Sequence, residues 1–360
     1  MRAPVSPEAT TDLCPFSVTV DHIAGMLNFE IADDPVYEGF ELQWFDDDRH
    51  GTGMLAFLSR RDGRVVDYYQ QPGLRLERSG YQIAGGTGGW HVTDFDAAVF
   101  QVTPEGVRAD VRFTDVDGRL IEVMVDDRDG RPRRRARFLA PVSAGIQAPA
   151  SLLLVWMDDF DLVRTGRTPP TIRVAGRDVT IGRLPAAWLH RRHLVKYAGS
   201  VVTVTVNEQV DGPLPASDHT DIVWTADRSI TQVSSSTSGH TAALTFRPAV
   251  PPAQRTPSTA AAGGTWDITV DGATLTGGSW SAVRSGARVE LGMHVTRRWR
   301  PGRLPLLMRV VTTVVPVFRR WPTTYRWHAR LDLGPPPSMR AGWLRVGSGG
   351  AEGYRRATSS

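Results

Sequence analysis

The sequence predicts an all-β protein built from antiparallel sheets. In many runs apolar and polar residues alternate, which places one side of a strand against a core. Asp-Gly pairs separate several of these runs. Such a pair between alternating runs is typical of a tight hairpin, because glycine readily takes a positive φ. The chain has five of these pairs: Asp62-Gly63, Asp117-Gly118, Asp129-Gly130, Asp211-Gly212 and Asp271-Gly272.

Strands are predicted from Glu38 onward, after an irregular lead-in over residues 1–35. The first of them alternates Leu42 and Trp44 with Glu41 and Gln43. Apolar or alternating runs of strand length recur through the first half of the chain. These runs are Glu38–Phe45, Met54–Leu58, Val65–Tyr69, Val107–Phe113, Ile121–Val125 and Leu152–Trp156.

The hairpin at Asp117-Gly118 can be assigned a register from the sequence. A two-residue loop would pair Phe113 with Glu122, so an apolar residue would lie opposite a charged one. A three-residue loop pairs Phe113 with Ile121, and one face of both strands is then apolar throughout. We therefore predict the three-residue loop, with Gly118 in the left-handed conformation of a bulge.

The middle of the chain predicts a boundary between two domains. Residues 165–170 are polar and contain proline, which is typical of a linker. Leu184–Tyr197 is predicted to be a helix, because Pro185 suits a first turn and Leu189 and His193 are four residues apart.

Alternating runs resume after this segment. They are Val202–Val206, Trp266–Val270, Val289–Val295 and Tyr325–Leu333. The prediction is therefore two antiparallel β-barrel domains, over residues 36–165 and 166–335, with a short helix near the boundary. Residues 336–360 are predicted to be a flexible tail.

The composition limits the partners and the cellular location. Lys+Arg number 42 against 38 Asp+Glu, and Lys196 is the only lysine. A net charge of +4 without a recognised motif or a long basic face predicts no nucleic-acid partner. Cys14 is the single cysteine, which excludes an intrachain disulfide and a cysteine metal cluster. The N-terminal residues contain no apolar signal segment, so we expect a cytoplasmic protein.

Two polar clusters are candidates for proton transfer. Asp159 lies in an acidic turn after the strand that ends at Trp156, and a carboxyl there can act as an acid or base if burial raises its pKa. The alternative is a solvated turn. His193 lies on the predicted helix, where His190 would share its face. The two histidines could bind a metal, but no third ligand is evident, so we expect neither a metal nor a cofactor.

A glycine-rich segment over residues 85–89 precedes Trp90 and His91. It lacks the Lys-Ser/Thr pair of a phosphate-binding loop. We expect a glycine hairpin at the mouth of a barrel. There Trp90 and His91 would either face a cavity or have a structural role.

The segment 297–321 combines arginines and tryptophans with an apolar centre. Its apolar part, Leu304–Phe318, is too short to span a bilayer, which needs about 20 residues. Arginine and tryptophan beside an apolar amphipathic segment suit an anionic membrane surface. The alternative is a core segment with arginines at its exposed ends.

Strand count, chain length, tryptophan content and the midpoint helix make residues 36–333 resemble the tandem lipocalin-like (double calycin) proteins, which include carotenoid hydratases and tocopherol cyclase. The local similarity lies in Glu38–Trp44, which would enter the first barrel, and in Leu152–Asp161, which would close it. The resemblance implies a cofactor-independent hydratase, cyclase or isomerase that acts on a lipophilic small molecule. The alternatives are a non-catalytic carrier of hydrophobic ligands and a peripheral membrane-associated protein.

We expect the ligand cavity in the first half of the chain or between the halves, because pockets concentrate at barrel mouths and domain interfaces. Asp159 and His193 are the predicted proton-handling groups. The predicted walls of the cavity are Trp156, Tyr197, Trp90, His91 and Trp44.

Overall fold

The computed structural model of the protein describes residues 13–346, apart from residues 63–64, 79–80, 82–87, 134–135, 143, 145, 167, 185–189, 215–219, 301–303 and 305. The all-β prediction is confirmed, since 59% of the structure is strand and 6% is helical. Two helices are described, α1 (Leu306–Val314) and α2 (Pro316–Arg320), together with a 3-10 turn at Ala253–Arg255.

In chain order, the described strands are β1 (Val18–Ile23), β2 (Gly25–Glu30), β3 (Tyr37–Asp47), β4 (Gly51–Arg60), β5 (Val66–Gln70), β6 (Trp90–Val92), β7 (Phe95–Thr103), β8 (Gly106–Thr114), β9 (Leu120–Asp126), β10 (Phe138–Ala140), β11 (Leu152–Asp158), β12 (Asp161–Arg164), β13 (Thr171–Val174), β14 (Arg177–Asp178), β15 (Arg192–Ala198), β16 (Ser200–Val206), β17 (Val210–Pro213), β18 (Asp221–Trp224), β19 (Ile230–Thr237), β20 (His240–Val250), β21 (Ala262–Val270), β22 (Ala273–Ser285), β23 (Arg288–Arg297), β24 (Tyr325–Asp332) and β25 (Ser338–Arg345).

These strands form four sheets, in which neighbours are antiparallel except for β5 and β6. The four-stranded sheet has the order β1-β16-β11-β10, and the seven-stranded sheet has the order β12-β15-β2-β3-β4-β5-β6. The five-stranded sheet runs β14-β13-β9-β8-β7, and the nine-stranded sheet runs β17-β25-β24-β23-β22-β21-β20-β19-β18. The described sheets do not close on themselves, so the predicted barrel halves are not confirmed.

The sheets stack as four layers separated by three apolar cores. One core joins β2, β3 and β4 of the seven-stranded sheet to β8 and β9 of the five-stranded sheet. A second core joins the other face of β4 and β5 to β11 of the four-stranded sheet, and α1 contributes to it. The third core joins the opposite face of β11 and β16 to the nine-stranded sheet. The two inner sheets are therefore covered on both faces.

In these two inner sheets, the alternation of apolar and polar residues does not show which side chains are buried, because both faces of the sheet are covered. In β11 every residue from Leu152 to Met157 is buried, and the run reads as continuously apolar. In β3 the polar residues Glu41 and Gln43 are only 9% and 1% exposed. They face the second core, because the side opposite Leu42 is covered by the four-stranded sheet.

The register predicted for the hairpin at Asp117-Gly118 is confirmed. Phe113 pairs with Ile121, both side chains are fully buried, and Gly118 has a φ of 77°. The amide of Asp115 donates to the carbonyl of Arg119 at 2.9 Å, which closes the three-residue loop.

The other Asp-Gly pairs have different outcomes. Asp271 and Gly272 join β21 to β22 with φ values of 48° and 78°, as a tight hairpin requires. Asp211-Gly212 is not a turn, because it lies inside β17 and pairs with β25. The pair at Asp129 lies between β9 and β10, which are not neighbours in a sheet. Gly63 lies outside the described residues.

The helix predicted over Leu184–Tyr197 is wrong from Arg192 onward, where the chain forms β15. Val195 and Tyr197 alternate with Lys196, and β15 pairs with β2 and β12 in the seven-stranded sheet. A β-branched and an aromatic residue suit a strand, and long-range pairing outweighs the local helical spacing. Residues 185–189 lie outside the described part of the chain.

The expected lead-in and tail both contain strands. Residues 18–30 form β1 and β2, which pair with β16, β15 and β3 rather than remaining irregular. Ser338–Arg345 forms β25, an inner strand of the nine-stranded sheet. On the two sides of the expected boundary near residue 165, β12 belongs to the seven-stranded sheet and β13 to the five-stranded sheet, and every strand up to β16 lies in the four-, seven- or five-stranded sheet. The division into two domains stays a prediction.

The alternation predicted for Tyr325–Leu333 is confirmed. Tyr325, Trp327 and Ala329 are buried, whereas Arg326 and Arg330 are exposed. The indole of Trp327 lies in the third core, between the four- and nine-stranded sheets.

Candidate functional site

A cleft of about 520 Å³ opens between the four-stranded sheet and the end of the seven-stranded sheet. Strands β1, β11 and β16 form one wall. The β3–β4 turn and the segment after β5 form the other. The polar residues that line the cleft are Thr19, Asp21, Arg49, His50, Arg75, Glu77, Tyr81, Thr203, Thr205 and Glu208.

The β3–β4 turn positions an imidazole in this wall. Asp47 folds back on its own turn, and its Oδ1 accepts from the amides of Arg49 at 2.9 Å and His50 at 2.7 Å. Gly51 follows with a φ of 82°, a conformation that suits glycine. This Asx-type turn holds the His50 side chain inward, where it is 4% exposed and packs on Phe45.

His50 lies between two carboxylates. Its Nδ1 is 2.9 Å from Oδ2 of Asp47, and its Nε2 is 3.2 Å from Oδ1 of Asp21. Both carboxylates are acceptors, so the arrangement matches an imidazolium that donates from both ring nitrogens. Asp47 is itself nearly buried, whereas the Asp21 side chain is 39% exposed and faces the cleft.

These contacts shift the pKa of His50. Burial by itself lowers the pKa of the imidazole, but the hydrogen bonds and charges of Asp21 and Asp47 outweigh it, and the pKa is raised above its ordinary value. Burial raises the pKa of Asp47, but its hydrogen bonds to His50 and Arg49 outweigh that effect, and the pKa is lowered. The raised pKa favours the protonated imidazole of His50, which lies beside the solvent-accessible side chain of Asp21.

Arg49 and Arg75 add positive charge at the same wall. Arg49 lies 3.6 Å from Asp21, and a guanidinium nitrogen of Arg75 donates to the carbonyl of Asp48. The amide of Arg75 donates to the carbonyl of His50 at 2.9 Å, which fixes the segment after β5 against the turn. Val20 and Leu153 supply an apolar part of the lining. The cleft thus suits an amphipathic molecule with a polar or anionic end.

A buried hydrogen-bond network lies directly behind Tyr81. The Tyr81 hydroxyl donates to Oε1 of Gln43, and Nε2 of Gln43 donates to Oε1 of Glu41 at 2.7 Å. Asn28 donates to the second oxygen of Glu41 at 3.0 Å and accepts from Lys196 at 3.2 Å. Each donor has an acceptor, so the network fixes the orientation of the phenol that lines the cleft.

Burial makes Glu41 an unusually weak acid. It raises the pKa of Glu41 to about 7, although the hydrogen bonds from Gln43 and Asn28 and the charge of Lys196 act in the opposite direction. A carboxyl that changes protonation state near neutral pH is frequent in functional sites. Glu41 does not line the cleft, so its influence on a ligand would pass through Gln43 and Tyr81.

An aromatic cluster supports the same region. Tyr68 and Trp90 are stacked, with ring centroids 4.3 Å apart, and Tyr81 meets Trp90 edge-on at 5.6 Å. The guanidinium of Arg78 lies 5.5 Å from the centre of the Trp90 ring. These contacts give Trp90 a packing role behind the cleft wall.

Two of the predicted site residues meet elsewhere. Asp159 and Tyr197 line a cavity of about 20 Å³ together with Arg133 and Asp161. The Tyr197 hydroxyl is buried and has no hydrogen-bond partner among the described residues. A cavity of this size holds about one water molecule, so it is too small for an organic substrate.

The remaining predicted residues do not converge with this pair. His193 lies on β15, its Nε2 is buried, and burial lowers its pKa. Trp156 faces the third core, on the far side of the four-stranded sheet. His91 stacks on Tyr69, and Trp44 packs against the core that contains Tyr69. The roles predicted for Asp159 and His193 stay predictions.

The sequence contained one signal for the site that was missed. The polar loop Asp46-Asp47-Asp48-Arg49-His50-Gly51 connects two strands with apolar residues. In it, His50 follows three residues after Asp47, whose side chain can accept hydrogen bonds from the amides of the turn. Nothing local indicated Asp21, because it comes to His50 only through the stacking of two sheets. Within the described residues, His, Cys, Asp and Glu form no group of three or more placed to hold a metal ion.

Comparisons with models of known protein families, with curated proteins and with solved structures found no match. The resemblance to tandem lipocalin-like proteins therefore stays a prediction.

Proposed function

We propose that the protein is a cofactor-independent acid–base enzyme, a hydratase, cyclase or isomerase, that acts on a small amphipathic molecule in the inter-sheet cleft. The observation that carries this proposal is His50, a buried imidazole in the cleft wall between the carboxylates of Asp47 and Asp21. An imidazole oriented by a buried carboxylate is a recurrent arrangement for proton transfer.

The three residues have distinct roles in this proposal. His50 gives the proton on Nε2 to a substrate atom, such as an alkene carbon. Asp47 remains ionised and stabilises the imidazolium before the transfer. Asp21, which faces the cleft, accepts a proton from water in a hydration or from an adjacent carbon in an isomerisation or cyclisation. One proton is given and one is taken, so the reaction needs no external oxidant or reductant.

The lining of the cleft bears on the substrate. Leu153 and Val20 contact an apolar part, while Arg49 and Arg75 attract a polar or anionic end. This lining favours an amphipathic molecule over a purely lipophilic one. We also propose a relationship to lipocalin-like barrels, because the five- and seven-stranded sheets enclose one core as two sides of a flattened barrel would.

The ligand is to be identified by native mass spectrometry of protein purified from its own host. The molecule found is then incubated with the protein, and the product is sought as an isomer or as the molecule plus one water. We expect His50→Gln to reduce turnover by about 10²–10⁴-fold. His294→Gln, a half-buried histidine of β23, is the matched control and should keep full turnover.

The pH profile tests the role of Asp47. Turnover should fall as the pH rises through the raised pKa of His50, because the acid form is then lost. Asp47→Asn removes the charge that favours the imidazolium, so the fall should move to lower pH.

Two results would overturn the proposal. One is full turnover in His50→Gln, with loss of turnover in Asp159→Asn or in His193→Gln, which would assign the proton transfer to that residue instead. A bound molecule that the native protein never converts would indicate a carrier.

A further inference from the structure

Helix α1 leaves an apolar face exposed. Leu306, Val310 and Val314 are spaced four residues apart, so they lie on one side of the helix. Their exposed fractions are 75%, 51% and 66%. Exposed apolar side chains gathered on one helix face are unusual for a surface that meets only water.

The opposite side of α1 is anchored in the protein. Met308 is 8% exposed and packs in the second core, together with Leu304. Phe318 of α2 contacts Phe138, with ring centroids 5.6 Å apart. The fold thus holds the helix with its apolar face outward.

The chain on both sides of this face is basic and carries no acidic residue. Arg298, Arg300, Arg309 and Arg320 are all exposed, and none forms an ion pair with another residue that the structure describes. The sequence has no acidic residue between Glu290 and Asp332. We call Leu306, Val310, Val314 and the four arginines the helix α1 surface.

We propose that the helix α1 surface docks on a bilayer that contains anionic phospholipids, with α1 lying in the plane of the interface. Apolar side chains would enter the acyl boundary while arginines contact lipid phosphates. Two copies of the chain would instead bring like charges together at this face. No described helix is long and apolar enough to cross a bilayer. The inference does not depend on the proposed enzymatic function.

The test is co-sedimentation of the full chain with vesicles of phosphatidylcholine alone or mixed with phosphatidylserine. We expect binding only to the anionic vesicles, and it should weaken as salt is added. A variant with Leu306→Gln, Val310→Gln and Val314→Gln should bind at least about tenfold more weakly, because it removes the apolar side chains that would enter the bilayer. Its matched control is Val223→Gln, an exposed valine of β18, which should bind normally.

A second variant keeps the helix face and removes charge. Arg309→Gln with Arg320→Gln should weaken binding to anionic vesicles about fivefold for each arginine. Arg108→Gln, an exposed arginine of β8, is the control and should have no effect. Thermal melting of each variant checks that it folds.

Two outcomes would refute the inference. One is equal binding to neutral and anionic vesicles, or no binding at all. The other is sedimentation of the native protein as a dimer that the triple glutamine variant abolishes, which would assign the surface to a second copy.

Discussion

Glu41 provides a direct test of the buried network, because its charge is predicted to oppose folding at neutral pH. Its side chain is 9% exposed and accepts hydrogen bonds from Asn28 and Gln43. Glu41→Gln keeps the shape and removes the charge. The side-chain amide of the new glutamine then faces an N–H donor of Asn28 or Gln43. The free-energy cost of this mismatch does not change with pH.

The magnitude follows from the pKa. A rise from the ordinary value of 4.5 to about 7 corresponds to about 3 kcal/mol of differential stability. Below pH 4.5 both the folded and the unfolded chain bind the proton. As the pH rises toward 7, the unfolded chain ionises first, so the free energy of unfolding falls by about 3 kcal/mol and then levels off.

The assay compares the free energies of unfolding of native protein and Glu41→Gln in urea, followed by tryptophan fluorescence between pH 4.5 and 8. Subtracting one free energy of unfolding from the other at each pH cancels the contributions of all other titrating groups. Between pH 4.5 and pH 8, the free energy of unfolding of the variant should rise relative to that of the native protein by about 3 kcal/mol. Glu38→Gln, an exposed residue of the same strand, should give no such trend. A difference for Glu41→Gln that is independent of pH would show that the carboxyl ionises normally.

Further predictions concern the cores and the cleft. Gly118→Val should destabilise the protein by about 1 kcal/mol or more in urea, because valine disfavours the positive φ. Trp327→Ala should cost roughly 3–5 kcal/mol, since the ring is fully buried; a smaller loss, with ligand binding abolished, would make it a cavity wall. Trp343→Phe should cost about 1–3 kcal/mol, because the indole N–H donates to two buried carbonyls of the β16 end. In a histidine NMR titration, His50 should have a raised pKa that Asp47→Asn lowers; an unchanged value would exclude the ion pair.

The candidate site shows how far sequence reasoning reached. From the sequence, Asp159 and His193 are the predicted proton-handling groups of a cavity, and this assignment stays a prediction. Asp159 does line a small cavity with Tyr197, whereas His193 lies on a strand where the local spacing predicts a helix. His50 was overlooked, since the Asx turn that orients it resembles any solvated acidic loop.

Local sequence patterns were sufficient to predict those strands whose pairing depends on residues close together in the chain. Alternation defined β24, and apolar matching across a short loop defined the register of Phe113 with Ile121. These features follow from side-chain period and turn geometry, which act over a few residues. The stacking of the sheets in four layers is visible only in the folded chain, and it buries Glu41 and brings Asp21 of β1 to His50. Contacts between layers depend on pairing between strands far apart in the chain, and no local pattern encodes which faces meet.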